Sequence, residues 1–327
     1  MQPPQAKPTI YNVAARAGVS ISTVSLAINH PQRVSAATRK RVAEAAEAEG
    51  YRSAGAGPRR GLRSVAALAP FSTWPSYYQR LDGILDRCTA AGVEVVVHNL
   101  PPNEQSEVPL LDAIPVRGDL DGVIVMGRQL TAAAEAAIER SGIPTVLVDA
   151  ESDRLPTVLT DDVHGGILIA EHLVELGHRR IVFAYEGPAW FDHSSSGLHR
   201  LAGIEKVVKA GQGTVSPLLF DERFLDAFRG FGATAIVANH DSLAARISRL
   251  LADSGLSVPG EVSVAGFDGG ELATTLGLTS VRQPFAATGA AAAELLLGML
   301  TGTAPQIRTT TLASILVPGD TTGTPSA

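Results

Sequence analysis

Residues 9–51 read TIYNVAARAGVSISTVSLAINHPQRVSAATRKRVAEAAEAEGY, and their pattern predicts three short helices. Thr9 can cap the first helix, because its hydroxyl accepts a hydrogen bond from a free amide of the first turn. Gly18 ends that helix, since glycine enters the left-handed conformation at little cost. Ser20 caps a second helix over residues 21–28, and a third helix begins at Ser35. A helix, a glycine turn and a capped helix form the helix-turn-helix arrangement.

Charge separates this N-terminal segment from the remainder of the chain. Residues 1–63 hold ten Lys or Arg against three Glu, which gives a net charge of +7. The whole chain carries −6, so residues 64–327 carry −13. A basic segment on an acidic body indicates attraction to phosphate at one end of the chain. This charge distribution favours a DNA-binding segment over an ordinary helical hairpin.

The segment resembles the headpiece of the LacI/GalR family of bacterial transcription regulators. The family pattern is T-[IL]-x-D-V-A-x-x-A-G-V-S-x-x-T-V-S-R-x-[LIV]-N, then V-S-x-x-T-R-x-[RK]-V and G-Y. The matching residues here are Thr9, Val13, Ala14, Ala17, Gly18, Val19, Ser20, Thr23, Val24, Ser25, Asn29, Val34, Ser35, Thr38, Arg39, Val42, Gly50 and Tyr51. The resemblance implies a sequence-specific DNA-binding regulator, a repressor, whose second helix lies in the major groove.

The same resemblance assigns DNA contacts to individual residues. Positions that contact phosphates set the register without reading bases, and here they are Thr9, Tyr11, Ser20, Thr23, Ser25 and Asn29. For Tyr11 and Thr23, capping or packing is the alternative role. Ile21, Ser22 and Leu26 occupy the exposed positions of the second helix. The family usually has a guanine-reading arginine where Leu26 stands; Leu26 either touches a thymine methyl or packs against the third helix.

Residues 53–63, SAGAGPRRGLR, predict a flexible linker because they are rich in glycine and arginine. The family places a hinge helix here, which wedges an apolar residue into the minor groove. Leu62 is the large apolar candidate for that contact, although the glycines disfavour a stable helix. The arginines could instead follow phosphates, and a solvated basic tether is the other reading. The predicted domains are a headpiece (1–52), a linker (53–63) and a core (64–327).

The core alternates apolar strands with amphipathic helices, a pattern of parallel sheets covered on both faces. Strands are predicted at 65–69, 93–97, 122–126, 145–148, 181–185, 215–218, 235–238 and 262–266. Helices are predicted near 78–91, 131–141, 166–176, 198–210, 241–253 and 285–300. These two successive sets predict two lobes, one of about 64–160 plus 285–327 and one of about 161–284. Ligands of such sheets bind beyond the carboxyl ends of strands.

The core also resembles that of the LacI/GalR family, most clearly in EHLVELGHRRIVF (171–183), SGLSVPGEVSVAGFDG (254–269) and TSVRQPF (279–285). The predicted fold is therefore α/β, with a helix-turn-helix headpiece and a two-lobed core like that of periplasmic binding proteins, built from doubly wound parallel sheets. The resemblance implies a small effector, a sugar or sugar derivative by default, bound between the lobes. Purines are bound by some members, and the mixed aromatic residues leave that alternative open.

Candidate effector contacts follow from the resemblance and from strand ends. Arg200 and Asp268 match family residues that hold effector hydroxyls or carboxylates, and a guanidinium with a carboxylate suits a polyol. Asp149 and His240 stand at equivalent strand tips, whereas the neighbouring Asp241 is a good helix N-cap. The aromatic candidates for the rim of the site are Phe71, Trp74 and Trp190, with core or interface packing as the alternative.

Composition limits the other classes of function. No apolar run reaches membrane-spanning length, the N-terminus lacks a secretion signal, and the single Cys88 cannot form an internal disulfide. We therefore expect a cytoplasmic protein. We expect no cofactor and no metal site, because no phosphate-binding glycine motif or zinc-ligand spacing occurs.

The expected partners are a pseudo-palindromic operator DNA, a small carbohydrate effector and a second copy of the chain, with no membrane. A homodimer is expected because two heads would then read two half-sites, and a tetramer is left open. A solute-binding protein with the same core fold is the alternative function. The lack of a signal peptide and the basic N-terminal segment argue against that alternative. The sequence shows no nucleophile–base pair that would indicate an enzyme.

Overall fold

The computed structural model describes residues 8–52, 63–73, 75–101, 108–187, 195–303 and 309–326. The chain divides into two compact units. The first takes its described residues from Met1–Val158 and Ala286–Thr310, and the second from Leu159–Phe285 and Thr311–Ala327. The chain therefore passes three times from one unit to the other.

The headpiece forms the predicted helices Ile10–Ala17 (α1), Ile21–Asn29 (α2) and Ala36–Glu49 (α3). Thr9 and Asn12 cap α1 reciprocally, and Gly18 ends it at a φ of 63°. Ser20 caps α2 by accepting a hydrogen bond from the Thr23 amide at 3.1 Å. These local contacts confirm the helix-turn-helix arrangement. The three helices share a core of Val13, Ala14, Ala17, Val24, Ala27, Ile28, Val42, Ala45 and Ala46.

In the first unit, the described strands form a sheet whose β1, β2, β3, β4 and β5 run parallel. The strands are Arg63–Ala69 (β1), Val93–Asn99 (β2), Gly122–Met126 (β3), Thr145–Val148 (β4), Thr157–Thr160 (β5) and Thr309–Leu312 (β11), in the order β11-β5-β4-β3-β1-β2. Its helices are Ser76–Ala90 (α4), Pro109–Ala113 (α5), Ala132–Ser141 (α6) and Phe285–Thr301 (α12). All five residues of β3 are buried, as expected for a strand covered on both faces. The part of this unit that lies outside the headpiece is called lobe one.

The second unit repeats the arrangement with the order β12-β10-β9-β8-β6-β7 among its described strands. They are Arg180–Tyr185 (β6), Thr214–Leu219 (β7), Ala235–Ala238 (β8), Ser263–Asp268 (β9), Thr279–Arg282 (β10) and Ile315–Val317 (β12). Its helices are Asp162–Glu175 (α7), Ser195–Ala210 (α8), Phe224–Phe231 (α9), Asp241–Asp253 (α10) and Glu271–Leu276 (α11). The doubly wound parallel sheets expected from the sequence are thus present in both units.

The C-terminal tail departs from the sequence prediction, which placed all of 285–327 in the first lobe. Helix α12 lies in the first unit, but β12 pairs antiparallel with β10 of the second sheet. The pairing satisfies the backbone groups of β10, whose edge would otherwise lack hydrogen-bond partners. The described residues after β11 accordingly belong to the second unit, and the prediction is corrected there.

Candidate functional site

The headpiece exposes most of the residues predicted to contact DNA. Tyr11 is 68% and Ile21 is 40% exposed, although both side chains are large and apolar. Thr9, Ser20, Ser22 and Asn29 are also exposed, and Thr23, Ser25 and Leu26 are half-buried. Exposed apolar side chains beside exposed hydroxyls are a surface suited to contact with another molecule.

Hydroxyl groups cluster at the N-terminus of α2. The Ser20 hydroxyl lies 2.7 Å from that of Ser22 and 2.8 Å from that of Thr23. The partial positive charge of a helix N-terminus favours phosphate at this end. Toward the other end of α2, the Asn29 amide donates to the Ser25 hydroxyl at 3.3 Å. The sequence prediction of phosphate contacts at these residues agrees with their accessibility and stays a prediction.

Leu26 was the ambiguous residue of α2, because it could face DNA or the third helix. It is half-buried. The partly buried apolar residues that pack against the headpiece core are, among the described residues, Ile10, Val19, Val34 and Tyr51. Leu26 is absent from that set, which favours the DNA-facing reading. Three other candidates, Leu62, Trp74 and Trp190, lie outside the described residues.

In the second unit, Arg200 on α8 is held rigidly at the carboxyl end of the sheet. Its Nε donates to Asp162 Oδ1 at 2.7 Å, and its Nη1 donates to the Asn239 carbonyl at 2.6 Å. Its guanidinium carbon lies 4.7 Å from the ring centroid of Phe267, a cation–π distance. Arg200 is 7% exposed. A ligand would therefore meet a guanidinium whose direction is already fixed.

Two glycines explain why Arg200 reaches this position. A Cβ on Gly166 of α7 would lie 2.1 Å from the Arg200 carbonyl oxygen. A Cβ on Gly203 of α8 would lie 2.2 Å from the Val163 carbonyl oxygen. Both distances are far below van der Waals contact, so α7 and α8 can cross this closely only with glycine at both places. Their close approach brings Arg200 against Asp162 in the first turn of α7.

His240 caps α10, a role that the sequence gave to Asp241. The His240 Nδ1 accepts the Leu243 amide at 3.1 Å, and its Nε2 lies 3.1 Å from Glu186 Oε2. In the neutral ring the proton therefore sits on Nε2 and is donated to Glu186. Glu186 also pairs with Arg246. The hydrogen bond from His240 is the main reason that the pKa of Glu186 lies below its ordinary value.

Asp241 is buried instead of capping the helix. Its Oδ2 accepts the Gly269 amide at 2.8 Å, and its Oδ1 accepts the Ser280 hydroxyl at 2.6 Å. Burial, and then the negative charge of Asp268, raise the pKa of Asp241 to about 7. Asp241 thus ties the turn after β9 to β10 and supports the backbone that carries Asp268.

Asp268 and Asp149 end strands in their own units with positive φ angles of 115° and 53°. Such backbone is uncommon outside glycine and concentrates at binding sites. Gln283 Nε2 donates to Asp268 Oδ1 at 3.2 Å. Asp149 forms an ion pair with the buried Arg80 of α4. Each strand end therefore presents a carboxylate whose direction a neighbouring side chain helps to fix.

Phe71 follows β1 but does not present an open ring. It is 4% exposed, and its ring centroid lies 5.5 Å from that of Tyr78. This favours the packing alternative for Phe71, whose effector role stays a prediction. Sequence reasoning missed Asp162, Glu186 and Asn239. Glu186 and Asn239 directly follow β6 and β8, so the strand-tip argument could have found both.

In the described part of the chain no cluster of three or more His, Cys, Asp or Glu has the arrangement of a metal site. No helix within the described ranges is long and apolar enough to cross a membrane.

Comparison with protein-family models gives three matches along the chain. "Bacterial regulatory proteins, lacI family" matches residues 9–53, and "Periplasmic binding proteins and sugar binding domain of LacI family" matches residues 63–209. "Periplasmic binding protein-like domain" matches residues 170–322. The matches reach from the headpiece to the last strand.

A relative and two solved structures resemble the chain over nearly its full length. The HTH-type transcriptional regulator reg1 of Streptomyces lividans is 31% identical over 346 residues, covering 97% of each chain. The transcriptional regulator CelR in complex with cellobiose has 26% identity and a TM-score of 0.68, covering 96% of this chain and 99% of that one. The lac repressor dimer bound to operator and an anti-inducer has 26% identity and a TM-score of 0.67, with the same coverage.

Proposed function

This chain belongs to the LacI family of bacterial regulatory proteins, and we propose that it is a repressor whose affinity for operator DNA is controlled by a carbohydrate. It is a DNA-binding transcriptional regulator by its family. The observation that carries the proposal is the capped helix α2, which presents exposed Ser22 and Ile21 on a basic headpiece. Attraction to phosphate would bring the head to DNA, and α2 would then read the groove.

The carbohydrate effector is supported by the residues at the strand ends of the second unit. Arg200 offers a fixed guanidinium, Asp268 offers a carboxylate, and Glu186, held by His240, adds a second carboxylate acceptor. Sugar hydroxyls both donate and accept hydrogen bonds, so they suit such a mixed set of partners. The similarity to a regulator solved with cellobiose supports the same class of ligand.

A pseudo-palindromic operator read by a homodimer completes the proposal. The similarity to the lac repressor dimer bound to operator supports both the dimer and the DNA. A two-fold dimer presents two heads related by symmetry, which matches two half-sites. We propose no catalytic role, because the matched relatives are regulators. A cytoplasmic location is proposed because operator DNA is the target.

In vitro selection from random duplexes with the full chain tests the DNA part. We expect enrichment of two inverted half-sites. Ile21→Glu should remove binding, because it places a carboxylate on the exposed side of α2 against DNA phosphates. Leu276→Glu is the control, since Leu276 is also an exposed apolar residue (48%) but belongs to the second unit. Enrichment that survives Ile21→Glu would refute the assignment of α2 as the reading helix.

A thermal-shift screen with sugars, sugar phosphates and nucleobases tests the effector part. A ligand at 100 times its Kd should stabilise the fold by about 2.7 kcal/mol. Arg200→Ala should abolish the shift, whereas Arg249→Ala should keep it, because Arg249 pairs only across an exposed turn of α10. If a purine base stabilises the protein and no sugar does, the effector is a purine and not a carbohydrate. Sugar binding without any DNA selection would favour a solute-binding protein.

A further inference from the structure

The headpiece core does not consist of headpiece residues alone. Val116 ends a short 3₁₀ turn, Ile114–Val116, which follows α5 of lobe one. It is 4% exposed and belongs to the apolar cluster of the headpiece helices. Burying a valine side chain stabilises a contact by about 1.5–3 kcal/mol. The headpiece is therefore attached to lobe one by apolar packing as well as by its linker.

Arg39 supplies a second attachment from the first turn of α3. It is 5% exposed, and its Nε donates to Asp112 Oδ2 of α5 at 3.1 Å. Its Nη1 donates to the Val34 carbonyl at 2.7 Å. A buried guanidinium is stable only where acceptors satisfy it. Asp112 of lobe one thus supplies an acceptor that the buried guanidinium of Arg39 requires.

Two more polar contacts surround these anchors. Glu47 of α3 forms an ion pair with Arg140 at the end of α6. Arg52 donates through Nη2 to the Arg117 carbonyl at 3.0 Å and to the Leu120 carbonyl at 3.4 Å. Exposed ion pairs each contribute only about 0.2–1 kcal/mol. Together, however, these contacts attach the headpiece to lobe one at three separate points.

The contact is not packed over its whole extent. Cavities of about 300 and 650 Å³ flank it, the first beside Asn29 and Pro109 and the second between α3 and α6. A fully packed interior has few voids larger than a water molecule. The small side chains of Ala43, Ala133, Ala134 and Ala137 are among those that line the second cavity.

The contact leaves the DNA-facing side of the headpiece open. Tyr11, Ser20, Ile21 and Ser22 are all exposed while Arg39 and Val116 are buried. The linker sequence SAGAGPRRGL, by contrast, is poorly suited to a hinge helix because of its glycines. Contact between α3 and lobe one can orient the headpiece in place of such a helix.

We propose that α3 docks on a surface of lobe one formed by Asp112, Val116 and Arg140, which holds the headpiece as a rigid extension with its reading helix exposed. The proposal rests on the DNA-binding function proposed above. Orienting the head before DNA arrives removes part of the entropy lost on binding, and this strengthens operator affinity.

The test breaks the surface without altering the headpiece. Asp112→Arg with Arg140→Glu places like charges opposite Arg39 and Glu47 and keeps the net charge unchanged. The control, Glu139→Arg with Arg154→Glu, exchanges the two members of an exposed ion pair of lobe one that does not involve the headpiece. A fluorophore on Ala15→Cys, on the exposed side of α1, reports head motion by time-resolved anisotropy. The native Cys88 is fully buried and should escape labelling.

In the labelled full chain and in the control, the head should tumble with the whole molecule. The double variant should gain a nanosecond component from a head moving on its linker. Its affinity for the selected operator should fall about tenfold, a change of about 1.4 kcal/mol. Adding Glu47→Arg to the double variant should restore part of the slow tumbling.

Fast head motion already present in the unaltered chain would overturn the proposal, while operator selection would still support the DNA-binding function. Slow tumbling that persists in the double variant would likewise reject this surface. A chain that tumbles as one body but selects no DNA would instead count against the function on which the proposal rests.

Discussion

At the scale of single residues, Asp241 makes a pH-dependent prediction. Its folded pKa of about 7 exceeds the ordinary value of 3.8, mainly because of burial. A carboxyl with a raised pKa favours the folded state when protonated, so its contribution is complete below about pH 4. That contribution is lost as pH rises through about 7. The free energy of unfolding should therefore decline across this window by at most about 4 kcal/mol on account of this group.

Asp241→Asn should remove that decline, because the amide can still accept from Gly269 and donate to the Ser280 oxygen without titrating. Denaturant unfolding at several pH values between 5 and 8 measures the difference between variant and parent. The variant should gain relative stability as pH rises. Asp253→Asn, at the exposed end of the same helix, should give a nearly constant difference. An equally flat difference for Asp241→Asn would show that the carboxyl does not titrate in this range.

His240 and Asp241 show what sequence can and cannot assign at this scale. Both follow β8, so the strand-tip rule correctly selected the place. Which of two neighbours caps α10 depends on the backbone angle at each, and His240 has the extended conformation that a cap needs. Asp241 is also a good capping residue, but the sequence does not reveal that its carboxylate instead accepts hydrogen bonds from Ser280 and Gly269.

At the scale of elements, the crossing of α7 and α8 depends on Gly203. Alanine is the better helix former by about 1 kcal/mol, but its Cβ would lie 2.2 Å from the Val163 carbonyl oxygen. Backbone must then move, and overpacking of this kind usually costs about 1–3 kcal/mol. Gly203→Ala should lower the free energy of unfolding in denaturant titrations and weaken effector binding, because Arg200 moves with α8.

Gly230→Ala provides the matched control for that prediction. Gly230 lies in the short helix α9, where a new Cβ would meet no atom within 4 Å. Only the helix propensity should then act, with a gain of about 0.5–1 kcal/mol. If both alanine variants were stabilised, the close crossing of α7 and α8 would not limit the fold.

The strands of the sheets were largely predictable, whereas their edges were not. Six of the eight predicted strands contain runs of buried, mostly apolar residues, such as Gly122–Met126, whereas the edge strands β2 and β7 are only partly buried. Strands β5, β10 and β11 were missed because each has only four residues, at least two of which are threonine or serine. The final strand β12 lies in the second sheet, whereas the sequence analysis placed this part of the chain in the first lobe. Pairing with β10 is a long-range backbone contact, and no local pattern in residues 315–317 specifies it.

At the scale of the whole molecule, the division of charge predicts how DNA affinity responds to salt. Residues 1–63 carry +7 and residues 64–327 carry −13. The head attracts phosphate while the body repels it, so only head contacts release counterions from DNA. For a dimer with six or more phosphate contacts, affinity should fall roughly a thousandfold or more between 50 and 200 mM salt.

Fluorescence anisotropy of a labelled duplex over this salt range measures the slope of log affinity against log salt. Arg33 is exposed just after α2, and Arg33→Ala should reduce the slope by about two if Arg33 of each head in the dimer neutralises one phosphate. Arg249→Ala removes the same charge from the second unit. It should leave the slope unchanged, because Arg249 belongs to the acidic part of the chain, which is not expected to contact DNA. Binding of an uncharged sugar should hardly respond to salt in either variant. An affinity for DNA that is independent of salt would mean that the basic head does not contact the phosphate backbone.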